Sequence, residues 1–270
     1  MPALRILVTG ATGFLGGHAV AALRRRGHRV FTTGRGSGDA AVDLCAPGMV
    51  AAVLEASAPD LVLHLAAMSR VRDCEQDPRR ARLVNVWLPQ RFAERFGPRL
   101  LHVSTDLVFS GSAPPYEERD SVGPLSVYGC TKAEAEQVVH QHEARVVRLP
   151  LLFGPDAQGR GATASLRRAQ ANGVVSTLFT NEYRTPLHAA DAAAVLADLL
   201  PDVDGPQLLH VSGPERCSRW ELGRRLCALH DLDANLLVPA ECQDALRPRD
   251  VSMRGSVPPR RSLDEMLMAS

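Results

Sequence analysis

The sequence predicts an α/β fold: a doubly wound, Rossmann-like parallel sheet with a smaller C-terminal lobe for the substrate. Two observations lead to this prediction. Apolar runs without the polar alternation of a half-exposed strand recur through the N-terminal half, and stretches with helical periodicity separate them; strands of this kind are typical of a parallel sheet buried on both faces. A glycine cluster follows the first run directly, where a strand would turn into a helix. Right-handed crossovers then place helices on both faces.

Each element has its own signal in the sequence. The first strand is a short β-rich run that ends at Gly10, and the next helix stops at Gly27, after which a second strand begins. The same alternation continues along the chain. The predicted strands are Leu4–Thr9, His28–Thr33, Leu61–Leu65, Leu100–Ser104 and Arg145–Leu149. The predicted helices are Gly13–Arg26, Pro47–Ala56, Pro78–Phe96, Tyr128–His142 and Asp191–Leu200.

The periodicity weakens after this first part of the chain, which suggests a second lobe. We expect residues 1–155 and about 186–200 to form a dinucleotide-binding domain, and about 156–185 with 202–270 to form the substrate lobe. The segment Gly111–Pro124 is rich in Pro, Gly, Ser and acidic residues, as surface loops beside active sites often are. The tail from Arg254 onward is predicted to be partly disordered.

The composition is that of an ordinary globular protein, with 45% apolar residues, 23% charged residues and a formal net charge of +1. A charge so close to zero gives no electrostatic basis for binding nucleic acid or a membrane surface. The N-terminus runs straight into a strand without a signal-peptide layout, and no apolar run is long enough to span a bilayer. We therefore expect a cytoplasmic protein without nucleic-acid or membrane partners.

Lysine occurs once in this chain. Of the 31 basic residues only Lys132 is a lysine, and the rest are arginines. A genome that favours arginine codons explains the bias but not the exception. Arginine has a larger planar head and keeps its proton, so a site that needs a compact ammonium excludes it. The exception indicates a functional position at Lys132.

The segment Gly10-Ala11-Thr12-Gly13-Phe14-Leu15-Gly16 predicts a dinucleotide site. In the Gly-x-x-Gly-x-x-Gly pattern the first glycine permits a tight turn, the second lets the backbone approach a pyrophosphate, and the third allows close helix–strand packing. The N-terminus of the following helix offers unpaired N–H groups and a partial positive charge. The position of this pattern, between the first strand and the first helix, is what makes it specific.

The end of the second strand bears on the choice of cofactor. An acidic residue there would bind the ribose 2′-hydroxyl of NAD, but this chain has Gly34-Arg35-Gly36 instead. The guanidinium of Arg35 could pair with a 2′-phosphate. The sequence therefore favours NADP(H) over NAD.

Tyr128 and Lys132 are four residues apart at the start of a predicted helix, so their side chains share one face. A phenol has an ordinary pKa of about 10 and is a poor acid near neutrality. A neighbouring ammonium favours the phenolate and lowers that pKa. We expect Tyr128 to do the proton chemistry while Lys132 tunes it and holds the nicotinamide ribose.

Two hydroxyls follow one another where the fourth predicted strand ends, at the edge of the sheet beside the cofactor. These are Ser104 and Thr105. One hydrogen-bonds the substrate carbonyl, and the spacing leaves open which of them does so. The nine histidines show no metal-ligand spacing, so no metal site is expected.

Around these residues the sequence resembles the dTDP-4-dehydrorhamnose reductases and related extended short-chain dehydrogenases, which act on nucleotide sugars. The resemblance covers most of the chain and is strongest over about residues 1–155. The segments that carry it are Ser104-Thr105-Asp106-Leu107-Val108-Phe109-Ser110-Gly111, Pro115-Tyr116-Glu117-Glu118, Pro124-Leu125, Tyr128-Gly129-Cys130-Thr131-Lys132, Tyr183-Arg184-Thr185-Pro186-Leu187-His188 and Arg247-Pro248-Arg249-Asp250-Val251-Ser252-Met253.

The resemblance implies an NAD(P)H-dependent reduction of a keto group on a nucleotide-linked deoxysugar, and it leaves room for a homodimer. It assigns catalysis to Thr105, Tyr128 and Lys132. The other residues that it implies are Asp43 and Leu44 beside the adenine, Ala66, Ala67 and Asn85 along the ribose and nicotinamide, and Ser104, Arg184 and Arg247 at the substrate.

The chain departs from the family pattern at several positions, which concern the substrate and not the cofactor. Cys130 lies inside the catalytic turn, Leu107 replaces a common tyrosine, and the segment after Met253 is unlike the usual ending. Two alternatives stay open: an epimerase of the same superfamily, and a non-catalytic regulatory subunit that only binds the dinucleotide. A dehydratase is disfavoured, because Leu107 stands where a second acidic residue is expected.

Overall fold

The computed structural model describes residues 3–156 and 158–270. The chain divides into two compact units. The first unit comprises the chain up to Thr105, Ser126–Arg148 and Ala192–Leu209. The second unit comprises Asp106–Leu125, Leu149–Asp191 and His210–Ser270.

The strands and the α-helices are numbered separately along the chain. The strands are β1 (Arg5–Thr9), β2 (Arg29–Gly34), β3 (Ala40–Ala41), β4 (Leu61–His64), β5 (Leu100–Thr105), β6 (Arg145–Leu149), β7 (Leu152–Phe153), β8 (Ser176–Phe179), β9 (Tyr183–Arg184), β10 (Leu187–His188), β11 (Leu208–His210), β12 (Cys217–Ser218) and β13 (Leu237–Ala240). The α-helices are α1 (Phe14–Arg25), α2 (Met49–Ser57), α3 (Val71–Gln76), α4 (Pro78–Arg82), α5 (Leu88–Phe96), α6 (Val127–His140), α7 (Ala162–Ala171), α8 (Ala189–Leu199), α9 (Arg219–His230) and α10 (Leu263–Met268).

The first unit is built on one sheet, whose strand order in the described chain is β3-β2-β1-β4-β5-β6-β11. The pairs that β1 forms with β2 and β4, and the pairs β2–β3 and β4–β5, are parallel. The order reverses between β1 and β4, and in such sheets ligands bind beyond the carboxyl ends of the strands at that point. The predicted doubly wound α/β fold is confirmed, and it places the end of β1 where a dinucleotide would lie.

An apolar row crosses three neighbouring strands of this sheet. Leu7 pairs in register with Val62, and Val62 with Leu100. All three are fully buried, in one cluster with Phe92 of α5 and Val139 of α6. Because successive residues of a strand face opposite sides, the residues two positions further along each strand point to this same face.

The predicted helix Pro78–Phe96 is helical along its length, but it is not a regular α-helix. Residues Leu83–Trp87 form a π-helical turn, in which the N–H of Leu88 bonds to the carbonyl of Leu83, five residues back. Pro89 follows at once and has no N–H for the carbonyl of Asn85. The proline thus explains why the α-helical ladder is interrupted here, and π turns of this kind are frequent at functional sites.

The second unit has short strand pairs in place of a large sheet: β7 with β10, β9 with β12, and β8 with β13. Its C-terminal tail is ordered, so the prediction of a partly disordered tail is wrong. Val257 bridges to Val211, and α10 begins at a capping box made by Ser262 and Glu265. The apolar side chains of α10 at Leu263, Met266 and Leu267 are fully buried, and this burial holds the tail.

Within the described residues, no helix combines the length and the apolar character that a bilayer crossing would need.

Candidate functional site

The glycine-rich turn lies between β1 and α1 and leaves room for a ligand backbone. Gly10 has φ +67°, and a Cβ there would stand 2.7 Å from the backbone nitrogen of Ala66. A Cβ on Gly16 would collide with the carbonyl oxygen of Gly10. The first turn of α1 has no acidic residue, and its N-cap, Gly13, contributes no side-chain cap. The start of α1 therefore suits a pyrophosphate, and the residues present fit a dinucleotide.

The other residues predicted at this turn lie around it. Thr12 contacts Gly34, where a Cβ would approach the Thr12 side chain to within 2.5 Å. Phe14 and Leu15 open α1 and are half-buried. Arg35 follows β2 directly and is exposed. It is therefore accessible to an anionic group beside the turn.

Asp43 and Leu44, predicted beside the adenine, have different surroundings. Asp43 is exposed and forms a 2.6 Å ion pair with Arg80. The backbone N–H of Cys45, followed by Arg80 and Arg35, lowers the pKa of Asp43. Leu44 is 6% exposed and packs in the core of the first unit, so its side chain serves packing.

Asn85 holds the loop after β4, which contains Ala66 and Ala67. Its Oδ1 accepts a hydrogen bond from the Met68 N–H at 2.8 Å, and its Nδ2 donates to the Met68 carbonyl at 3.2 Å. Nδ2 also donates to Thr131 Oγ1 at 3.0 Å. Asn85 thus fixes the position of Ala66 and Ala67, which are half-buried, relative to helix α6.

Helix α6 carries the predicted tyrosine and lysine. Ser126 caps it by accepting a hydrogen bond from the Gly129 N–H at 3.2 Å, so the helix begins just before Tyr128. Tyr128 is 9% exposed and Lys132 is 2% exposed. Their spacing of four residues on this helix places them on one face.

The two predicted hydroxyls lie at the end of β5. Ser104 is 4% exposed and Thr105 is 8% exposed. The Ser104 hydroxyl is buried without a hydrogen-bond partner among the described residues. A buried hydroxyl without a partner is costly, and a functional role is one reason for a protein to keep it.

Lys132 is buried between two acceptors of strand β5. Its Nζ donates to the Val103 carbonyl at 2.7 Å and lies 2.8 Å from His102 Nε2. Burial lowers the pKa of Lys132 to about 7, against a smaller opposing effect of Glu136. Glu136 is itself held by Arg148, whose guanidinium donates to both carboxylate oxygens. The lysine therefore changes between its charged and neutral forms near neutral pH.

The second unit gathers guanidinium groups around one buried carboxylate, Glu182, which is 1% exposed. Arg247 Nε donates to its Oε2 at 2.9 Å, while Arg184 Nη2 and Arg219 Nε reach its Oε1 at 3.3 Å. Burial raises the pKa of Glu182, but the three guanidinium groups outweigh it and the net shift is downward. We call these four residues the arginine cluster.

The local fold explains how this cluster forms. Strand β9 pairs antiparallel with β12, so that Arg184 faces Cys217 and Tyr183 faces Ser218. Arg219 follows β12 as the first residue of α9, and its N–H bonds to the Glu182 carbonyl at 3.2 Å.

A cavity of about 380 Å³ opens beside the arginine cluster. Arg219 and Arg247 line it together with apolar and hydroxyl side chains, among them Phe179 and Leu222. The Arg247 guanidinium lies 5.3 Å from the Phe179 ring centre. Three cations face one carboxylate, and Asp106 adds a second at 3.8 Å from Arg184 Nε. The surplus positive charge suits phosphate groups.

The predicted residues thus fall into two sets. The first unit contains every predicted cofactor residue, the two hydroxyls at the end of β5, and the tyrosine and lysine of α6. The second unit contains Arg184 and Arg247, which share Glu182. Sequence reasoning missed Glu182, Arg219 and His102. Glu182 directly precedes the Tyr183-Arg184 of the family resemblance, and His102 lies inside the predicted strand Leu100–Ser104, but neither has a local pattern that marks it as a site residue.

Comparisons with known proteins agree with this arrangement. The RmlD substrate binding domain matches residues 4–257. Methionine adenosyltransferase 2 subunit beta of Xenopus laevis is 30% identical over 247 residues, covering 86% of this chain and 72% of that protein. A probable low-salt glycan biosynthesis reductase of Haloferax volcanii is 30% identical over 260 residues, covering 89% and 85%.

Among solved structures, a dTDP-4-dehydrorhamnose reductase of Bacillus anthracis in complex with NADP has a TM-score of 0.88 at 22% identity, covering 98% of this chain and 97% of that one. A hypothetical dTDP-4-dehydrorhamnose reductase of Sulfolobus tokodaii has a TM-score of 0.82 at 26% identity, covering 93% and 92%. Because the family match spans nearly all of the chain, the protein belongs to the RmlD substrate binding domain family.

Proposed function

We propose that this protein is an NAD(P)H-dependent reductase of a keto group on a nucleotide-linked sugar. One observation carries the proposal: the first unit by itself combines an uncapped glycine-rich turn with Thr105, Tyr128 and the buried Lys132. Similarity to a reductase crystallised with NADP and to a glycan biosynthesis reductase supports it.

The residues of this unit divide the work of a carbonyl reduction. A reduced nicotinamide, when bound, supplies the hydride that reaches the carbonyl carbon. Tyr128 donates its hydroxyl proton to the carbonyl oxygen, which becomes the alcohol oxygen, and the phenolate regains a proton from solvent. Thr105 donates a hydrogen bond to the same oxygen. The Lys132 ammonium stabilises the phenolate, because a nearby cation favours the charged form of a phenol.

The arginine cluster of the second unit supports a nucleotide carrier on the sugar. Its surplus of guanidinium groups suits a diphosphate, for which arginine forms bidentate hydrogen bonds. The apolar part of the neighbouring cavity, with Phe179 and Leu222, suits a base. A similar structure, that of MoeE5, is a complex with UDP-glucose and NAD.

The reductase is tested by turnover with a panel of 4-keto nucleotide sugars and added NADPH or NADH. Tyr128→Phe should keep cofactor affinity and lose turnover by at least about a hundredfold, the low end for general acid catalysis. Tyr116→Phe is the matched control, because it also removes a tyrosine hydroxyl from a buried residue, but in the second unit and not in the first. It should keep turnover within a few-fold. Near-normal turnover by Tyr128→Phe would contradict the assignment.

A non-catalytic regulatory subunit is the second candidate function. The observation that favours it is the 30% identity with methionine adenosyltransferase 2 subunit beta. Tight cofactor binding without oxidation across the whole panel would support this candidate. Conversion of a sugar without net consumption of cofactor would instead indicate an epimerase.

The finer properties of this enzyme are also proposals. We infer a preference for NADPH from the exposed Arg35 and from the lack of an acidic residue at the end of β2. We also propose a cytoplasmic location, from the sequence, and a homodimer, from the family resemblance. Sedimentation of the purified protein checks the dimer.

A further inference from the structure

A row of buried polar side chains crosses the first unit directly above its apolar row. Thr9 pairs in register with His64, and His64 with His102, so the three lie side by side on β1, β4 and β5. They are at most 1% exposed. His64 Nδ1 lies 2.8 Å from Thr9 Oγ1, and the two imidazole rings stack with centres 5.4 Å apart. We call these three residues the polar row.

One end of the polar row contacts Lys132. An ammonium has three donors and no acceptor. One donor goes to the Val103 carbonyl at 2.7 Å and a second to His102 Nε2 at 2.8 Å. The third is therefore left for a group outside β5. When Lys132 is protonated it only donates, so His102 Nε2 must accept. The ring hydrogen is then on Nδ1, which is buried without a hydrogen-bond partner among the described residues.

The other end of the polar row contacts the glycine-rich turn. Thr9 immediately precedes Gly10, and Thr9 Oγ1 accepts a hydrogen bond from the Ala66 N–H at 3.3 Å. The Ala66 backbone is also what a Cβ on Gly10 would meet first. The row thus connects the backbone around the proposed cofactor turn with the lysine of α6.

We propose that His102 is a positioning residue for the proposed reduction, in which its neutral imidazole accepts one N–H of Lys132 and so directs the remaining donor of the ammonium. The inference rests on the proposed function for its purpose, since a lysine fixed in this way is useful only if it serves Tyr128 and the cofactor. The contact itself stands on the geometry of β5 and α6.

The charges around this contact agree with a neutral acceptor. Burial, together with Lys132 and His64, holds the pKa of His102 well below its ordinary value. Glu136 on α6 is the carboxylate that acts on Lys132, and Arg148 on β6 engages both of its oxygens. His102 is uncharged, so it orients the ammonium without neutralising it.

The single lysine allows a direct test without any substrate. Protein without a lysine-containing tag, labelled with ¹³C at the lysine ε-carbon, has one lysine resonance, and its titration gives the pKa of Lys132. His102→Gln keeps a neutral acceptor near the Nε2 position and should leave the midpoint within about half a pH unit. His102→Glu should raise it by about one to three units, because an opposite charge favours the ammonium. His102→Leu should lower it, because the charged form loses a hydrogen bond.

The matched control is His64→Leu, which removes the neighbouring imidazole of the same row without touching Lys132 and should leave the lysine midpoint in place. Turnover of His102→Leu should fall with cofactor affinity retained, and His102→Gln should restore it. Coincident midpoints for the Leu, Gln and Glu variants, or shifts of Leu and Glu in one direction, would overturn the proposal whatever the enzyme reduces.

A second measurement needs no variant. ¹⁵N-histidine spectra of the wild-type protein, taken below the lysine midpoint, should show His102 as the neutral tautomer with its hydrogen on Nδ1. A hydrogen on Nε2, or an imidazolium, would refute the arrangement. If the wild-type protein turns over none of the substrates of the panel while both spectroscopic results are as expected, the proposed reduction is contradicted and the contact between His102 and Lys132 still stands.

Discussion

Replacing Gly10 by alanine probes the point where the backbone must approach both the loop after β4 and a ligand. The new Cβ would stand 2.7 Å from the Ala66 nitrogen, 2.8 Å from its Cα and 2.9 Å from the Leu65 carbonyl carbon. All three are backbone atoms, so no side chain can rotate away. A left-handed conformation, here φ +67°, adds about 1–2 kcal/mol for a residue with a Cβ. Overpacking adds about 1–3 kcal/mol, so we expect a total loss of about 2–5 kcal/mol in the free energy of unfolding.

Gly27→Ala separates these two terms. Gly27 also has a positive φ, +82°, but a Cβ there would meet nothing within 4 Å. It should cost about 1–2 kcal/mol by the conformational term alone. Urea unfolding gives both free energies, and calorimetric titration with NADPH gives both affinities. Gly10→Ala should weaken binding at least about tenfold, which is 1.4 kcal/mol, because relief of the clash moves the turn. Gly27→Ala should leave the affinity unchanged.

The reasoning would be refuted by equal destabilisation of the two variants together with unchanged NADPH affinity in Gly10→Ala. That result would mean that the turn has room for a side chain and does not bring the backbone close to the pyrophosphate.

Three further predictions concern charge. Arg35→Gln should weaken NADPH binding by about ten- to a hundredfold, because a charge-assisted contact is lost, and leave NADH binding unchanged. The control Arg29→Gln, which replaces an exposed arginine on β2, should alter neither affinity. Equal losses of affinity for both cofactors would contradict the assignment. Glu182→Gln should lower the free energy of unfolding in urea by about 3–5 kcal/mol, because three guanidinium groups lose their counter-charge, whereas the exposed Glu55→Gln should change it very little. Since folding lowers the pKa of Glu182, the carboxylate should stabilise the wild-type fold above its unfolded pKa. This stabilisation should be lost as the pH falls through the folded pKa. Lys132 has a pKa of about 7 in the folded protein against an ordinary value of 10.5. The free energy of unfolding of the wild type should therefore rise between these pH values by up to about 5 kcal/mol, at 1.36 kcal/mol per pH unit. Lys132→Met should remove this rise, and the same pH dependence in both proteins would show that the lysine titrates normally.

Local sequence was enough to predict most of the first unit. Its strands are buried on both sides and its helices have clear stops, such as Gly27 after α1, so both periodicities are visible in the chain. The glycine-rich turn and the Tyr128–Lys132 pair are also contiguous patterns. Their chemistry depends on spacing along one turn or one helix, which a sequence displays directly.

The features that the sequence did not reveal depend on distant neighbours. Glu182 is an ordinary glutamate until β9 and β12 pair and bring Arg219 beside it. The π turn before α5 results from Pro89 acting on a carbonyl four residues earlier, a detail that the apolar pattern of the predicted helix hides. Burial of Leu263 and Met266 stabilises the ordered tail. The Pro258-Pro259 pair before this helix gave no reason to expect that burial.

The single lysine is visible in the sequence, but the reason for it lies in contacts that only the fold creates. At Lys132 the side chain is 2% exposed and meets two acceptors, a carbonyl at 2.7 Å and an imidazole nitrogen at 2.8 Å. A guanidinium would bring five N–H donors in a planar fork to this space and would keep its charge at any accessible pH. Most of those donors would be buried without partners, and the group could not have a pKa near neutrality. A chain that uses arginine almost everywhere for its cations therefore needs lysine at this position, and the reason is the burial of the site beside His102.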